Sequence, residues 1–110
     1  MARLAVAAAA DKKGDNIVLL DLRNLSSVAD YFVIATGNVD RQLEAIADNV
    51  VEVLKRSQRV SPRRVEGTGQ SGWVLIDYGD VVVHLFTPTL RAFYSLESLW
   101  SAATVLLRMQ

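Results

Sequence analysis

The residues able to do chemistry are few, and their spacing limits what they can do. His84 is the sole histidine and lies between Val83 and Leu85 in an apolar run. A metal site needs several ligands and a general base needs a partner, so a lone histidine there reads as a structural or interface residue. Asp77 and Asp80 flank Tyr78-Gly79. Paired carboxylates bind magnesium, but polymerase-type nucleotidyl transfer needs them one residue apart on a strand, with a third nearby and a Gly-Ser turn ahead. Here they are separated across a turn, and Thr36-Gly37 only echoes the Gly-Ser element. The favoured reading gives Asp80 to the hairpin turn, where aspartate bonds the local backbone. A magnesium-dependent nucleotidyltransferase is the alternative. Ser26, Ser27 and Ser71 stand in no triad-like relation to His84. Gly67-Thr68-Gly69-Gln70-Ser71-Gly72 lacks the lysine of a phosphate-binding loop and reads as a flexible connection.

Two groups of residues suit binding better than catalysis. Lys55, Arg56, Arg59, Arg63 and Arg64 form a cationic cluster with no acid among them. It is either a solvated helix end or a contact with RNA phosphate or an acidic surface. Near the C-terminus, Arg91, Phe93, Tyr94 and Trp100 share one helical stretch. Aromatic residues and arginine dominate interface hot spots. One arrangement places Phe93 and Leu96 in the core and turns Arg91, Tyr94 and Trp100 outward. The other makes the whole stretch core. Trp73 and Tyr78 add two large side chains close by in the chain.

These residues need a scaffold, and the hydrophobic pattern supplies one. Residues 2–13 read as a short helix ended by Gly14. The runs 16–22 and 30–35 are short and continuously apolar, as strands covered on both faces are. A helix is expected over 39–57, since Val39, Leu43, Ile46, Ala47, Val50, Val53 and Leu54 trace one face. Glu52 and Arg56 form an i,i+4 pair on its outer side. A weak strand is expected at 63–66. Trp73–Tyr78 and Val81–Phe86 form a hairpin around Gly79-Asp80, with Trp73, Leu75 and Asp77 on one face and Val82, His84 and Phe86 on one face. Thr87-Pro88 starts a last helix to about Ser101. The tail 102–110 carries no usable pattern. The order predicts an α/β fold: one α/β sandwich domain over 1–110, with a mixed β-sheet flanked by helices.

Composition narrows the function classes. The chain has 110 residues, 12 basic and 12 acidic, and no cysteine. Residues 1–54 hold 5 basic and 8 acidic groups and residues 55–110 hold 7 and 4, which is a dipole and not a polycation. Phosphate binding needs clustered excess cations, so nucleic acid is a poor primary partner. The 51% apolar content argues against disorder. The lack of cysteine excludes disulfide scaffolds and thiolate zinc sites and fits a reducing cytoplasm. Leu4–Ala10 faintly resembles a signal-peptide core but reads better as an alanine-rich helix. No run is long enough to cross a membrane.

Several ordered motifs together resemble the ribosomal silencing factor family, also called the Iojap family. They are Ser26-Ser27, Ala29-Asp30-Tyr31-Phe32-Val33-Ile34, Thr36-Gly37, Arg41-Gln42, and Ala45-Ile46-Ala47-Asp48. Glu66-Gly67, Trp73, Asp77-Tyr78-Gly79-Asp80-Val81-Val82-Val83-His84 and the stretch from Arg91 to Trp100 follow. The resemblance implies a nucleotidyltransferase-like fold without its catalytic residues, no enzymatic activity and no cofactor. It implies binding to the large ribosomal subunit through ribosomal protein L fourteen, blocking union with the small subunit and repressing translation under nutrient limitation. It also implies the alternative of a large-subunit assembly factor. Carried onto this chain, the partner surface comprises Trp73, Asp77, Tyr78, His84, Arg91, Tyr94, Glu97 and Trp100. Arg59, Arg63 and Arg64 offer a secondary contact with ribosomal RNA, and a homodimer is a competing use of the same surface. The expected location is the cytoplasm.

Overall fold

The computed structural model describes residues 1–99 and 101–109. The elements run α1 (Ala2–Asp11), β1 (Asp15–Asp21), β2 (Tyr31–Thr36), α2 (Asp40–Gln58), β3 (Arg64–Glu66), β4 (Trp73–Asp77), β5 (Val81–Phe86), α3 (Pro88–Tyr94), α4 (Leu96–Leu99) and β6 (Thr104–Met109). The strands form one mixed sheet in the order β3-β4-β5-β2-β1-β6. The β2–β5 pair is parallel and every other neighbouring pair is antiparallel. This is the expected α/β sandwich.

The sheet has two unlike faces. Ile17, Leu19, Val33, Ala35, Val83 and Leu85 pack against α1 and α2, which contribute Ala5, Ala9, Leu43, Ile46, Val50 and Leu54. The alanines of α1 have a packing role. Their small side chains let α1 lie close to α2, and the contact is fastened by polar bonds. Asn49 Nδ2 donates to the Ala8 carbonyl at 2.8 Å, and Gln42 Nε2 donates to the Lys13 carbonyl at 2.9 Å. On the opposite face, Val18, Leu20, Phe32, Ile34, Val82 and Phe86, with the partly buried Trp73 and Leu75 of β4, meet a thinner cover that includes Leu90 of α3 and Leu96 of α4. The expected Glu52–Arg56 pair is present at 3.1 Å.

Three expectations at the C-terminal end need correction. The last helix is not continuous to residue 101. Ser95 adopts a left-handed backbone (φ 47°), which ends α3 and offsets the short α4. Thr87 does precede Pro88 in extended conformation, but its side chain makes no cap bond; its N–H bonds to the Gly72 carbonyl instead. The tail is not patternless. Thr104–Met109 forms β6 and pairs with the outer edge of β1.

Helix α2 ends at a non-glycine residue in the left-handed region. Arg59 has φ 55°, with its N–H on the Lys55 carbonyl and the Val60 N–H returning toward the Leu54 carbonyl. Glycine is the usual residue at this position because a Cβ is strained there. Arg59→Gly is therefore expected to stabilise the fold by about 0.5–1 kcal/mol. Urea unfolding measures this, and an unchanged or lower midpoint would contradict it.

Candidate functional site

Strand alternation places Trp73, Leu75 and Asp77 of β4 on the sheet face opposite α1 and α2. The β4–β5 register sets them against Phe86, His84 and Val82 respectively. The result is a layer of rings. Trp73 stacks on Phe86 at 5.7 Å between centroids and on His84 at 6.2 Å. His84 meets the edge of Phe32 at 4.6 Å. Tyr94 leans onto Trp73 at 5.0 Å and onto Phe86 at 5.9 Å, and Phe93 meets Tyr94 edge-on at 5.2 Å. A cleft of about 390 Å³ opens beside this layer, lined by Glu66, Gly67, Ser71, Trp73, Leu75, Leu90 and Tyr94. One wall depends on glycine. A Cβ at Gly67 (φ 83°) would lie 1.9 Å from the Trp73 carbonyl oxygen.

The polar groups of this face have few internal partners. Both ring nitrogens of His84 and the indole Nε1 of Trp73 are buried without a hydrogen-bond partner. Burial pushes the His84 pKa down to about 4, against the opposing charge of Asp77, so the ring is neutral near pH 7. Asp77 Oδ1 accepts the Gly79 N–H at 2.7 Å, and Arg64 Nε lies 3.6 Å from Asp77 Oδ2. The turn-forming carboxylate is thus Asp77 and not, as expected, Asp80. The Asp80 backbone carbonyl instead accepts the N–H groups of Asp30 and Tyr31. Among the described residues no three His, Cys, Asp or Glu side chains gather closely enough to hold a metal ion.

The structure brings Trp73, Asp77, His84 and Tyr94 together. Arg91 borders them, but it also ties α3 to the rest of the fold. Its Nη1 donates to the Asn16 carbonyl and, at 2.8 Å, to Thr36 Oγ1. Tyr78 is not on this face. It follows Asp77 by one residue, so it points to the helix side, where it joins the core at 8% exposure. Burial there pushes its pKa up to about 12. The expected orientation of α3 is also reversed at one position: Phe93 is 75% exposed, while Leu90 and Leu96 pack on the sheet. The side chain of Glu97 and all of Trp100 lie outside the described residues. Leu75 belongs to the face although it is not among the expected site residues, and Phe93, expected in the core, projects from it. The sequence signal for Leu75 was its place midway between Trp73 and Asp77.

The basic cluster is spread out. Arg59 caps α2, Arg63 packs beside Gly79, and Arg64 lies 3.6 Å from both Glu66 and Asp77. All three are exposed.

The sequence profile of the family described as "Ribosomal silencing factor during starvation" matches residues 1–109. This chain belongs to that family. It is 46% identical over 101 residues to the "Ribosomal silencing factor RsfS" of Halalkalibacterium halodurans, covering 92% of this chain and 86% of that protein. A crystal structure of a protein from Chromobacterium violaceum superposes with a TM-score of 0.86 at 40% identity, covering 90% of this chain and 82% of that one. A mouse protein named "Mitochondrial assembly of ribosomal large subunit protein 1" is 38% identical over 74 residues, covering 66% of this chain and 32% of its own length. These relatives carry the names of silencing and ribosome-associated factors, not of enzymes.

Proposed function

We infer that this protein is a non-enzymatic ribosomal silencing factor of the cytoplasm, acting as a single domain without a cofactor. It docks on the large ribosomal subunit with the aromatic face of its sheet. The contact is with ribosomal protein L fourteen, and the bound protein occludes the small subunit. Family membership supports the ribosomal setting. The observation that carries the choice of surface is the thinly covered ring layer of Trp73, His84, Phe86 and Tyr94, with Phe93 projecting from it.

The chemistry of that layer fits protein recognition. Large aromatic groups supply anchor area, and the polar side chains at its border, Asp77, Arg64 and Arg91, are few and of both signs. A standard interface buries roughly 800 Å² per partner. Trp73→Ala is expected to weaken binding to purified large subunits by about 2 kcal/mol or more, roughly thirtyfold. Co-sedimentation with large subunits measures it, and unchanged binding would remove Trp73 from the interface. Adding the protein to separated subunits should also reduce the joined ribosome peak on a sucrose gradient. An undiminished peak would exclude the occlusion mechanism.

The mouse relative's name favours a second reading, that of a large-subunit assembly factor using the same face. Accumulation of immature large subunits in cells lacking the protein, with translation in stationary phase unaffected, would favour assembly over silencing. Arg59, Arg63 and Arg64 supply a secondary RNA contact in either case. Replacing all three by Ala then lowers the salt dependence of subunit binding.

A further inference from the structure

We propose that the helix-side face has a second docking groove, which takes a basic amphipathic protein segment. Six strands at about 4.8 Å spacing are wider than two helices at about 10 Å spacing can cover. Helix α2 packs over β4 and β5, and α1 fills the flank of α2 toward β1 and β2. The opposite flank of α2, above β3 and the edge of β4, has no third helix among the described residues. A groove of about 510 Å³ lies there.

Its floor is apolar. Val65 pairs with Ile76 in the β3–β4 register and therefore shares the helix side of the sheet with Val74. Val65 is 49% exposed. Ala47 and Val51 of α2 complete the floor. The rim is acidic. Glu44, Asp48 and Glu52 recur every fourth residue along α2, so they stand in one row beside the floor. Glu52 is paired with Arg56 at 3.1 Å and Lys55 closes the end, so Glu44 and Asp48 carry the negative charge of the rim. Beyond the floor, β3 is the sheet edge, and all three of its residues are exposed.

An apolar floor beside an acidic row selects a segment with apolar residues on one side and lysine or arginine along the adjoining side. A helix laid against α2 meets both features at once, in the manner of helix-in-groove recognition. Nucleic acid is repelled by the acidic row. This groove lies across the sheet from the aromatic face, so its occupation does not compete with docking there, and the inference is independent of the ribosomal reading.

The test titrates 15N-labelled protein with a synthetic peptide of about 18 residues carrying leucine and lysine at helical spacing. Saturable binding is expected, with chemical-shift changes centred on Ala47, Val51, Val65 and Val74. The Glu44→Lys, Asp48→Lys, Glu52→Lys triple variant is expected to bind at least tenfold more weakly. Val65→Asp separates the groove from bulk charge: it adds an acid but destroys the floor, so it weakens groove binding and strengthens unspecific attraction. The exposed position of Val65 keeps this variant folded, and its own spectrum verifies that. No binding, equal binding by the triple variant, tighter binding by Val65→Asp, or shifts centred on Trp73 and Tyr94 would each overturn the proposal.

Discussion

Acidification from pH 6.5 to about 4 is expected to cost the native protein about 3 kcal/mol through one side chain, His84. Its ring is 6% exposed and packed among Phe32, Trp73 and Phe86, with no hydrogen-bond partner on either nitrogen. Charging it places a cation in a nearly dry layer, and the attraction of Asp77 offsets only part of that cost. The folded pKa of about 4 lies below the ordinary 6.5, so between these values the unfolded chain binds the proton and the folded chain does not. The stabilising difference is complete above pH 6.5, falls as the pH drops, and levels off below about 4. His84→Phe keeps an aromatic ring in place and removes the titration. Urea unfolding of both proteins at pH 7, 5.5 and 4.5 isolates the effect from the carboxylates that they share. Equal loss of stability in the two would show that His84 is not held neutral by burial.

The same residue shows how far the sequence could be read. Its place in an apolar strand was plain, and so was its sharing a face with Phe86, because strand alternation has a period of two. Helix α2 was legible to within one residue at each end because its apolar positions keep one face over many turns. Strand β6 was not legible. Thr104–Met109 lies mostly exposed at a sheet edge and is fixed by pairing with β1, a long-range contact that leaves no periodic trace. The apolar run of β1 shows that both of its faces are covered but not which strand pairs with its outer edge.

Within the candidate site, misreadings arose where a local rule was applied one residue too far. Tyr78 was grouped with Trp73 and Asp77 for its aromatic character, yet alternation already sent it to the other side. Both sequence-based arrangements place Phe93 and Leu96 inward together, but the left-handed Ser95 breaks the helix between them, so a spacing of three no longer means a shared face. From the sequence, the turn falls to Asp80. The hydrogen bond from the Gly79 N–H assigns it to Asp77 instead. The neutral net charge also gains meaning. A docking face with rings at its centre and few charges at its border needs no cationic excess to recognise a protein partner.

Phe86→Ala is expected to cost about 3–5 kcal/mol of stability, a large part of the 5–15 kcal/mol that holds an ordinary domain together. Phe86 is 1% exposed at the end of β5, and its ring supports the candidate contact residues Trp73 and Tyr94 together with the buried His84. Trp73 lies at 5.7 Å, Tyr94 at 5.9 Å and His84 at 6.2 Å. Deleting it opens a cavity beneath Trp73 that the stiff strand pair cannot close. Trp73 itself is only half-buried, so Trp73→Ala should cost less stability while costing more binding per unit of stability lost. The two substitutions therefore separate scaffold from contact. Urea unfolding gives the first quantity and large-subunit co-sedimentation, at a temperature where both variants remain folded, gives the second. Phe86→Leu refines the comparison, since it refills most of the volume without a ring. It should recover most of the stability but leave Trp73 and Tyr94 without a stacking surface. Binding restored fully by Phe86→Leu would mean that the rings contribute apolar area alone. A persistent binding deficit would mean that the layer acts by holding Trp73 and Tyr94 in one orientation.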